Sequence, residues 1–349
     1  MMTRTADYDY DLPAERIAQF PLPNRADARL LVVDRQTGTL EHRHVRDLAE
    51  LLRPGDCLVL NDTKVAPARL VGRRALTGGR WEGLFLSVEA SGAWRLLGRT
   101  RGKIQPGEEV ILQRADGGDA FALRLVERQS DGVWLAEPKL PGATWELLEQ
   151  AGRTPLPCYI RHGVGREGDI GRYQTVYAQT LGSAAAPTAG LHLTTQLLDR
   201  LRGVGVTTTR VTLHVGLDTF RPIKADQVEE HPLHSEWCAV SGEAAAAIGA
   251  ARAAGGRVVA VGTTSVRTLE TAAADGAPRA WEGNTRLFVR PGYRFAIVDG
   301  LMTNFHLPRS SLLVLVRTFG GDELIRRAYD EAIREEYRFY SYGDAMLIL

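Results

Sequence analysis

Cysteine is scarce in this chain. Cys57, Cys158 and Cys238 stand far apart among 349 residues. An odd, scattered set excludes a disulfide scaffold and a paired-cysteine metal site, and it suits a reducing compartment; the expected location is the cytoplasm. Long apolar runs are lacking too: none approaches the roughly 18 residues of a membrane-spanning helix. The stretch MMTRTADYDYDLP carries four charged residues and no apolar segment, so no cleaved leader is expected. Nor is there an excess of either charge. Lys and Arg number 43 against 42 Asp and Glu, a formal net of +1. That excludes a protein that coats nucleic acid non-specifically, but a local basic patch remains open. ARLVGRR (68–74) and LLGRTRGK (96–103) are the local basic clusters. Each reads equally as the solvated face of a strand.

A length of 349 residues suggests two domains. RLLVVD and DCLVLN read as buried strands, and VRDLAELL as a short helix stopped by Pro54 and Gly55. Between about Arg69 and Leu140 the texture changes. Short apolar or alternating runs such as WEGLFLSVE, EEVILQR and FALRLVER are separated by Gly, Asp and Ser clusters. That spacing predicts a small antiparallel barrel or sandwich. Later the α/β pattern resumes: TTQLLDRLRGVGV as helix, TTTRVTLHV as strand, GEAAAAIGAARAAGG as helix, RVVAVG as strand and TSVRTLETAAA as helix. SLLVLVRTF fits strand or helix equally, and DELIRRAYDEAIREEY is an amphipathic helix. The expected fold is a mixed α/β main domain, residues 1–68 and 156–349, with a small antiparallel β-barrel inserted at 69–155.

Five of the eight histidines, His192, His214, His231, His234 and His306, fall in the second half beside Gly, Pro, Thr and Asn. Histidine changes charge near neutral pH, and the clustering suggests a shared pocket. SAAAPTAGLHLT (183–194) is nearly all small residues; Pro187 and Gly190 suit neither strand nor helix. It suits a place where a backbone approaches something closely, with His192 at its end. His214 closes a predicted strand, where ligand sites of α/β folds gather. In HPLHSE (231–236), His234 and Glu236 suit proton transfer; a metal site there is weakened by Pro232, which breaks a regular helix. Gly262, Thr263 and Thr264 open a helix whose free N–H groups suit an anion, with Arg267 as a bidentate partner; a simple helix cap is the plainer reading. The loop matches neither a P-loop nor a dinucleotide fingerprint. Asn304, beside His306, offers donor and acceptor for a base edge. So do the polar residues of NDTKVAPARL, Asn61 to Leu70, although each could simply be a turn.

Taken in order, LPAERIAQFPLPNRADARLLVVD, PGDCLVLNDTKVAPARL, RYQTVYA, AAPTAGLHLT, TLHVGLDTFRPI, HPLHSEW, VGTTSVRTLE, MTNFHLPRSSLLVL and YRFYSYGDAMLI resemble the S-adenosylmethionine:tRNA ribosyltransferase-isomerase family of queuosine biosynthesis. The resemblance runs from about Tyr8 to Ile348. It implies transfer of the ribosyl unit of S-adenosylmethionine to an aminomethyl-deazaguanine in a tRNA anticodon. Isomerisation to an epoxycyclopentane follows, with adenine and methionine released. S-adenosylmethionine is then a substrate, no metal is required, and tRNA is the partner of an expected monomer. On this reading His192, His214, His234, Glu236 and His306 carry proton transfers. Pro187, Thr188, Ala189 and Gly190, with Gly262, Thr263, Thr264 and Arg267, hold S-adenosylmethionine. Asn61, Asp62, Lys64, Arg69 and Asn304 meet the tRNA base. Two other classes compete. A phosphoribosyltransferase would use VGTTSVRT for phosphate, but RVVAV lacks the acidic pair that holds magnesium. A non-catalytic RNA-binding protein would use the barrel and its arginines.

Overall fold

The computed structural model describes residues 3–130, 132–166, 168–216, 222–232, 235–273 and 276–349. By compactness the chain divides into residues 1–64 with 172–349, and residues 65–171. The first unit carries β1 (Arg29–Val33), β2 (Leu40–His44), α1 (Leu48–Leu51), β3 (Cys57–Asn61) and β4 (Thr63–Val65), the last running into the second unit. The second holds β5 (Arg69–Arg74), β6 (Arg80–Val88), β7 (Trp94–Thr100), β8 (Glu109–Gln113), β9 (Asp119–Arg128), β10 (Trp134–Pro138), α2 (Thr144–Ala151), β11 (Gly152–Arg153) and all of α3 (Asp169–Arg172) but its last residue, which belongs to the first unit. The first then resumes with β12 (Thr180–Ser183), α4 (Thr195–Gly203), β13 (Thr207–Leu213), β14 (Glu236–Val240), α5 (Gly242–Ala253), β15 (Val258–Val261), α6 (Thr263–Ala272) and β16 (Trp281–Thr285). It ends with β17 (Gly300–Asn304), α7 (Ser311–Gly320), α8 (Asp322–Arg334) and β18 (Ala345–Ile348). Residues 65–68 and 156–171, assigned from the sequence to the α/β domain, fall in the compact unit that holds the barrel.

The first unit is built on a nine-stranded sheet, β16-β14-β13-β3-β15-β17-β18-β1-β2. Its middle four strands, β13, β3, β15 and β17, are parallel. β3, β15, β17 and β18 are buried at every position, as expected of central strands covered on both faces. This explains why CLVLN and VVAV are unbroken apolar runs rather than alternating ones. Helices α5 and α6 pack on β13 and β15. Leu30, Leu58, Leu60, Val259, Val261, Met302 and Leu347 form the sheet's share of one core cluster with Leu193, Leu197 and Leu201. Helix starts follow their capping residues. Thr194, Ser241 and Ser310 each accept the backbone N–H three residues on, a contact worth about 1 kcal/mol each.

In the second unit six antiparallel strands run β5-β6-β7-β10-β9-β8 and close through β8 and β5. Closure leaves no open edge along those six strands. Here burial alternates: Trp81, Phe85, Trp94, Leu96, Leu123 and Leu125 point in, while Arg80, Glu82, Leu97, Arg99 and Arg124 sit outward or half-covered. Trp94 meets Phe85 and Phe121 edge-on, with centroids 5.3 and 6.1 Å apart, the favoured aromatic geometry. Among the described residues no helix is long and apolar enough to cross a membrane.

Candidate active site

The four parallel strands end at one edge of the sheet, and β14 and β18, running the other way, begin there. Asn61, His214, Gly262 to Thr264, Asn304 and Glu236 are therefore brought to a single edge by topology alone. Carboxyl ends of parallel strands are where α/β folds place ligands.

His214 follows β13 and is half-buried. Its imidazole stacks on Trp237, with centroids 4.9 Å apart and planes 22° apart, and Nδ1 lies 2.8 Å from Thr63 Oγ1. The same hydroxyl reaches Thr180 O at 3.5 Å. Across the ring is Gly182 at φ 150°, where an added Cβ would sit 2.7 Å from His214 Nε2; only glycine leaves that space. Burial lowers the His214 pKa, with Asp62 pulling the other way, so the ring is neutral at neutral pH.

Glu236 opens β14. It accepts the Gly216 N–H at 2.8 Å and pairs with Arg267 Nη1. Both side chains are almost wholly buried. Arg267 Nε donates to Leu287 O at 3.1 Å, while Nη2 takes no hydrogen bond among the described residues. The two residues expected to act separately, one as base and one as anion clamp, thus hold each other. At the start of α6, Asn61 Nδ2 donates to Thr264 Oγ1 at 3.1 Å and Ser265 Oγ donates to Val261 O at 2.8 Å. Thr263 is buried at the first helical position, after Gly262 at φ 88°.

The small-residue stretch forms a 3₁₀ turn, Thr188–His192, with Pro187 just before it. A Cβ on Gly262 would lie 3.6 Å from Ala189 Cβ, so the turn and the α6 loop touch. Gly190 faces the protein: an added Cβ would lie 2.0 Å from Tyr177 Oη and 3.0 Å from Thr175 Cγ2. Neither of those buried hydroxyls has a hydrogen-bond partner among the described residues. His192, 5% exposed, lies 3.1 Å through Nε2 from Asn304 Nδ2. Its pKa is lowered to about 4, by burial first and then by Arg25 and Arg338. Asn304 Oδ1 accepts from Thr188 Oγ1 at 2.9 Å. His192 lines a cleft with Arg25, Arg172, Leu22, Ser341 and Tyr342.

Other expected residues sit elsewhere. Asn61 uses both sides of its amide inside the chain: Nδ2 donates to Leu213 O and Thr264, and Oδ1 accepts from Leu213 N and Thr63 N. Asp62 is buried and accepts from Thr212 Oγ1 at 2.7 Å. Lys64 projects outward from β4. Arg69 lies in the barrel unit and pairs with Glu82 at 3.2 Å. His306 bonds Thr303 Oγ1 at 2.9 Å, its backbone groups are held by Tyr10 and Tyr329, and burial lowers its pKa to about 3. His231 lies edge-on to Phe288, and His234 lies outside the described residues. Among the described residues no three His, Cys, Asp or Glu gather as a metal-binding group. Gly182, Trp237 and Tyr177 were not singled out from the sequence, and Thr63 was named only among the polar residues that follow β3. All four lie in or near quoted motifs, but their importance depends on distances no motif states.

Fold and geometry together define an α/β protein with a barrel insert and a candidate site at the carboxyl ends of its parallel strands. The chain belongs to the family described as queuosine biosynthesis protein, whose pattern matches residues 5–348. A relative from Symbiobacterium thermophilum, named S-adenosylmethionine:tRNA ribosyltransferase-isomerase, is 53% identical over 348 residues, covering 99% of this chain and 100% of its own. Its namesake from Moorella thermoacetica is 51% identical over 348 residues, with the same coverage. A crystal structure of S-adenosylmethionine tRNA ribosyltransferase from Thermotoga maritima matches with a TM-score of 0.57 and 36% identity, covering 98% of this chain and 100% of that one.

Proposed function

We propose that the chain transfers and isomerises the ribosyl unit of S-adenosylmethionine onto 7-aminomethyl-7-deazaguanine in tRNA, releasing adenine and methionine and leaving epoxyqueuosine. The observation that carries this reading is identity of 53% along the full length of a relative so named. S-adenosylmethionine is consumed as ribosyl donor, tRNA is the acceptor, and the cytoplasm is the place where both are met. The chemistry needs a base for the proton at C5′, which the neighbouring sulfonium acidifies, and a donor for the departing purine.

His214 suits the base better than Glu236. Glu236 is spent on Arg267 and Gly216 N–H. His214 is neutral, and Thr63 can accept its Nδ1–H while donating onward to Thr180 O, which leaves a lone pair on Nε2. The 187–190 turn and residues 262–264 are the proposed support for S-adenosylmethionine. Lys64 and Arg69 remain candidates for tRNA, whereas Asn61 and Asn304 act through their neighbours. The test is adenine release from S-adenosylmethionine with tRNA carrying the deazaguanine precursor. Wild type is expected to release adenine only with that tRNA, and His214→Asn is expected to lose about 10²–10⁴ in turnover. No adenine release from the wild type would end the reading; an active His214→Asn would end the base assignment alone.

A further inference from the structure

The amide of Asn304 has one permitted orientation. Nδ2 faces two backbone carbonyls, Tyr340 O at 3.2 Å and Asp344 O at 3.4 Å, while Oδ1 faces the Thr188 hydroxyl at 2.9 Å. Flipping the amide would press its oxygen against two carbonyl oxygens, so the hydrogen-bond network fixes which side is which. The donor side therefore meets His192 Nε2 at 3.1 Å. A nitrogen that accepts a hydrogen bond carries no proton, which puts the proton of neutral imidazole on Nδ1.

That Nδ1–H has no hydrogen-bond acceptor among the described residues, and His192 lines the cleft. The cleft also carries Arg25 and Arg172, and among the described residues that line it none is acidic. Arg25 donates through Nη1 to Leu191 O at 2.8 Å, and Arg172 donates to Leu22 O and Pro23 O. Both guanidinium groups are thus held in place, close enough that Arg172, after burial, lowers the Arg25 pKa. Two guanidinium groups and a neutral donor around one hollow suit an anionic oxygen.

We propose that Asn304 is a positioning residue that fixes His192 as the Nδ1–H tautomer, and that this cleft binds an anionic oxygen between that donor and Arg25 and Arg172. The ligand is a carboxylate or a phosphate oxygen. Under the proposed function these would come from the amino-acid end of S-adenosylmethionine or from the tRNA backbone. Burial together with Arg25 and Arg338 keeps His192 from charging, so it donates a hydrogen bond without surrendering a proton. A protonated imidazole there would add a third positive charge.

The test uses full-length protein labelled with ¹⁵N-histidine, with His192 assigned by its loss in His192→Gln. The expected wild-type spectrum at pH 7 shows Nδ1 protonated and Nε2 bare; Asn304→Asp, which offers an acceptor, moves the proton to Nε2. Methionine and inorganic phosphate are then titrated separately. A shift of the His192 Nδ1 signal with methionine assigns the cleft to a carboxylate, and a shift with phosphate assigns it to a phosphodiester. Arg172→Gln is expected to weaken whichever binds by about tenfold or more, the scale of one charged hydrogen bond. A protonated Nε2 in wild type, an imidazolium at pH 7, or no shift with either probe overturns the proposal. The wild-type spectrum decides the tautomer even where Asn304→Asp fails to fold. None of these readings requires turnover, so a failed adenine assay would leave them standing and a failed spectrum would leave the proposed function standing.

Discussion

Gly190 sits where the protein's own packing forbids a side chain. An added Cβ would lie 2.0 Å from Tyr177 Oη, 3.0 Å from Thr175 Cγ2 and 3.1 Å from Tyr177 Cζ. Real Cβ atoms do not approach within 3 Å, so Gly190→Ala must displace Tyr177, which is 6% exposed, within a packed core. Overpacking of this kind costs about 1–3 kcal/mol. Tyr177→Phe removes the worst contact and leaves distances near 3 Å, which a shift of a few tenths of an ångström relieves. It also removes a buried hydroxyl with no partner among the described residues, and an unmet hydroxyl itself costs about 1–3 kcal/mol. Tyr177→Phe alone is therefore expected to be neutral or mildly stabilising, and most of the Gly190→Ala penalty should vanish in the double variant. Urea denaturation of the four proteins gives the coupling directly. If Gly190→Ala is as stable as wild type, or its penalty persists unchanged with Tyr177→Phe, the steric argument fails. Adenine release from the same set separates packing from binding. A stable but inactive double variant would show that the turn also meets a ligand.

Breaking the buried Glu236–Arg267 pair by Glu236→Gln should cost about 3–5 kcal/mol, because it strands a guanidinium already short of a partner. Adding Arg267→Met should recover part of that loss. Equal urea midpoints for wild type and Glu236→Gln would show that the pair does not hold the site together. Asp56, 2% exposed, accepts from Arg53 N, Arg257 N and the Arg257 guanidinium. Burial raises its pKa, but those bonds outweigh it and the net shift is downward. Its contribution is present above the unfolded value near 3.9 and is lost as pH falls through the lower folded value. Asp56→Asn should therefore melt lower than wild type at pH 7, with the gap closing below about pH 4; a gap unchanged at pH 3 would remove the carboxylate from the account.

Several strands and helices of the α/β unit were legible because glycine and proline punctuate them and the buried strands are unbroken apolar runs, but their order in the sheet was not read. SLLVLVRTF resisted for a physical reason. Leu312 to Val316 are buried all round, so no polar face marks a helical period, and the helix is decided by the Ser310 cap. The strand texture of the barrel was plain, but its closure through β5 and β8 was not, since register is a long-range property. At the site, residue types were readable and pairings were not. His214 and Thr63, 151 residues apart, were each named with no sign that one would hold the other. Glu236 and Arg267 were both named, yet nothing in the sequence says that they neutralise each other. Asn304 was read as facing a base because an amide's capacity is visible in the sequence and its prior commitments are not.

The placement of β18 has a consequence for synthesis. β18 lies between β17 and β1, and Leu30 is paired with Ala345. On the ribosome β1 can form its hairpin with β2 at once, but its other edge waits for a partner made about three hundred residues later. At ~5–20 residues per second that is roughly fifteen seconds to a minute. Throughout that interval Leu30 to Val33, four apolar residues buried in the finished sheet, present an open strand edge, the kind of surface that pairs wrongly with other chains. Correct folding therefore depends on something covering that edge while translation continues, and slowing the ribosome along the second half of the message should increase aggregation before it affects the finished enzyme.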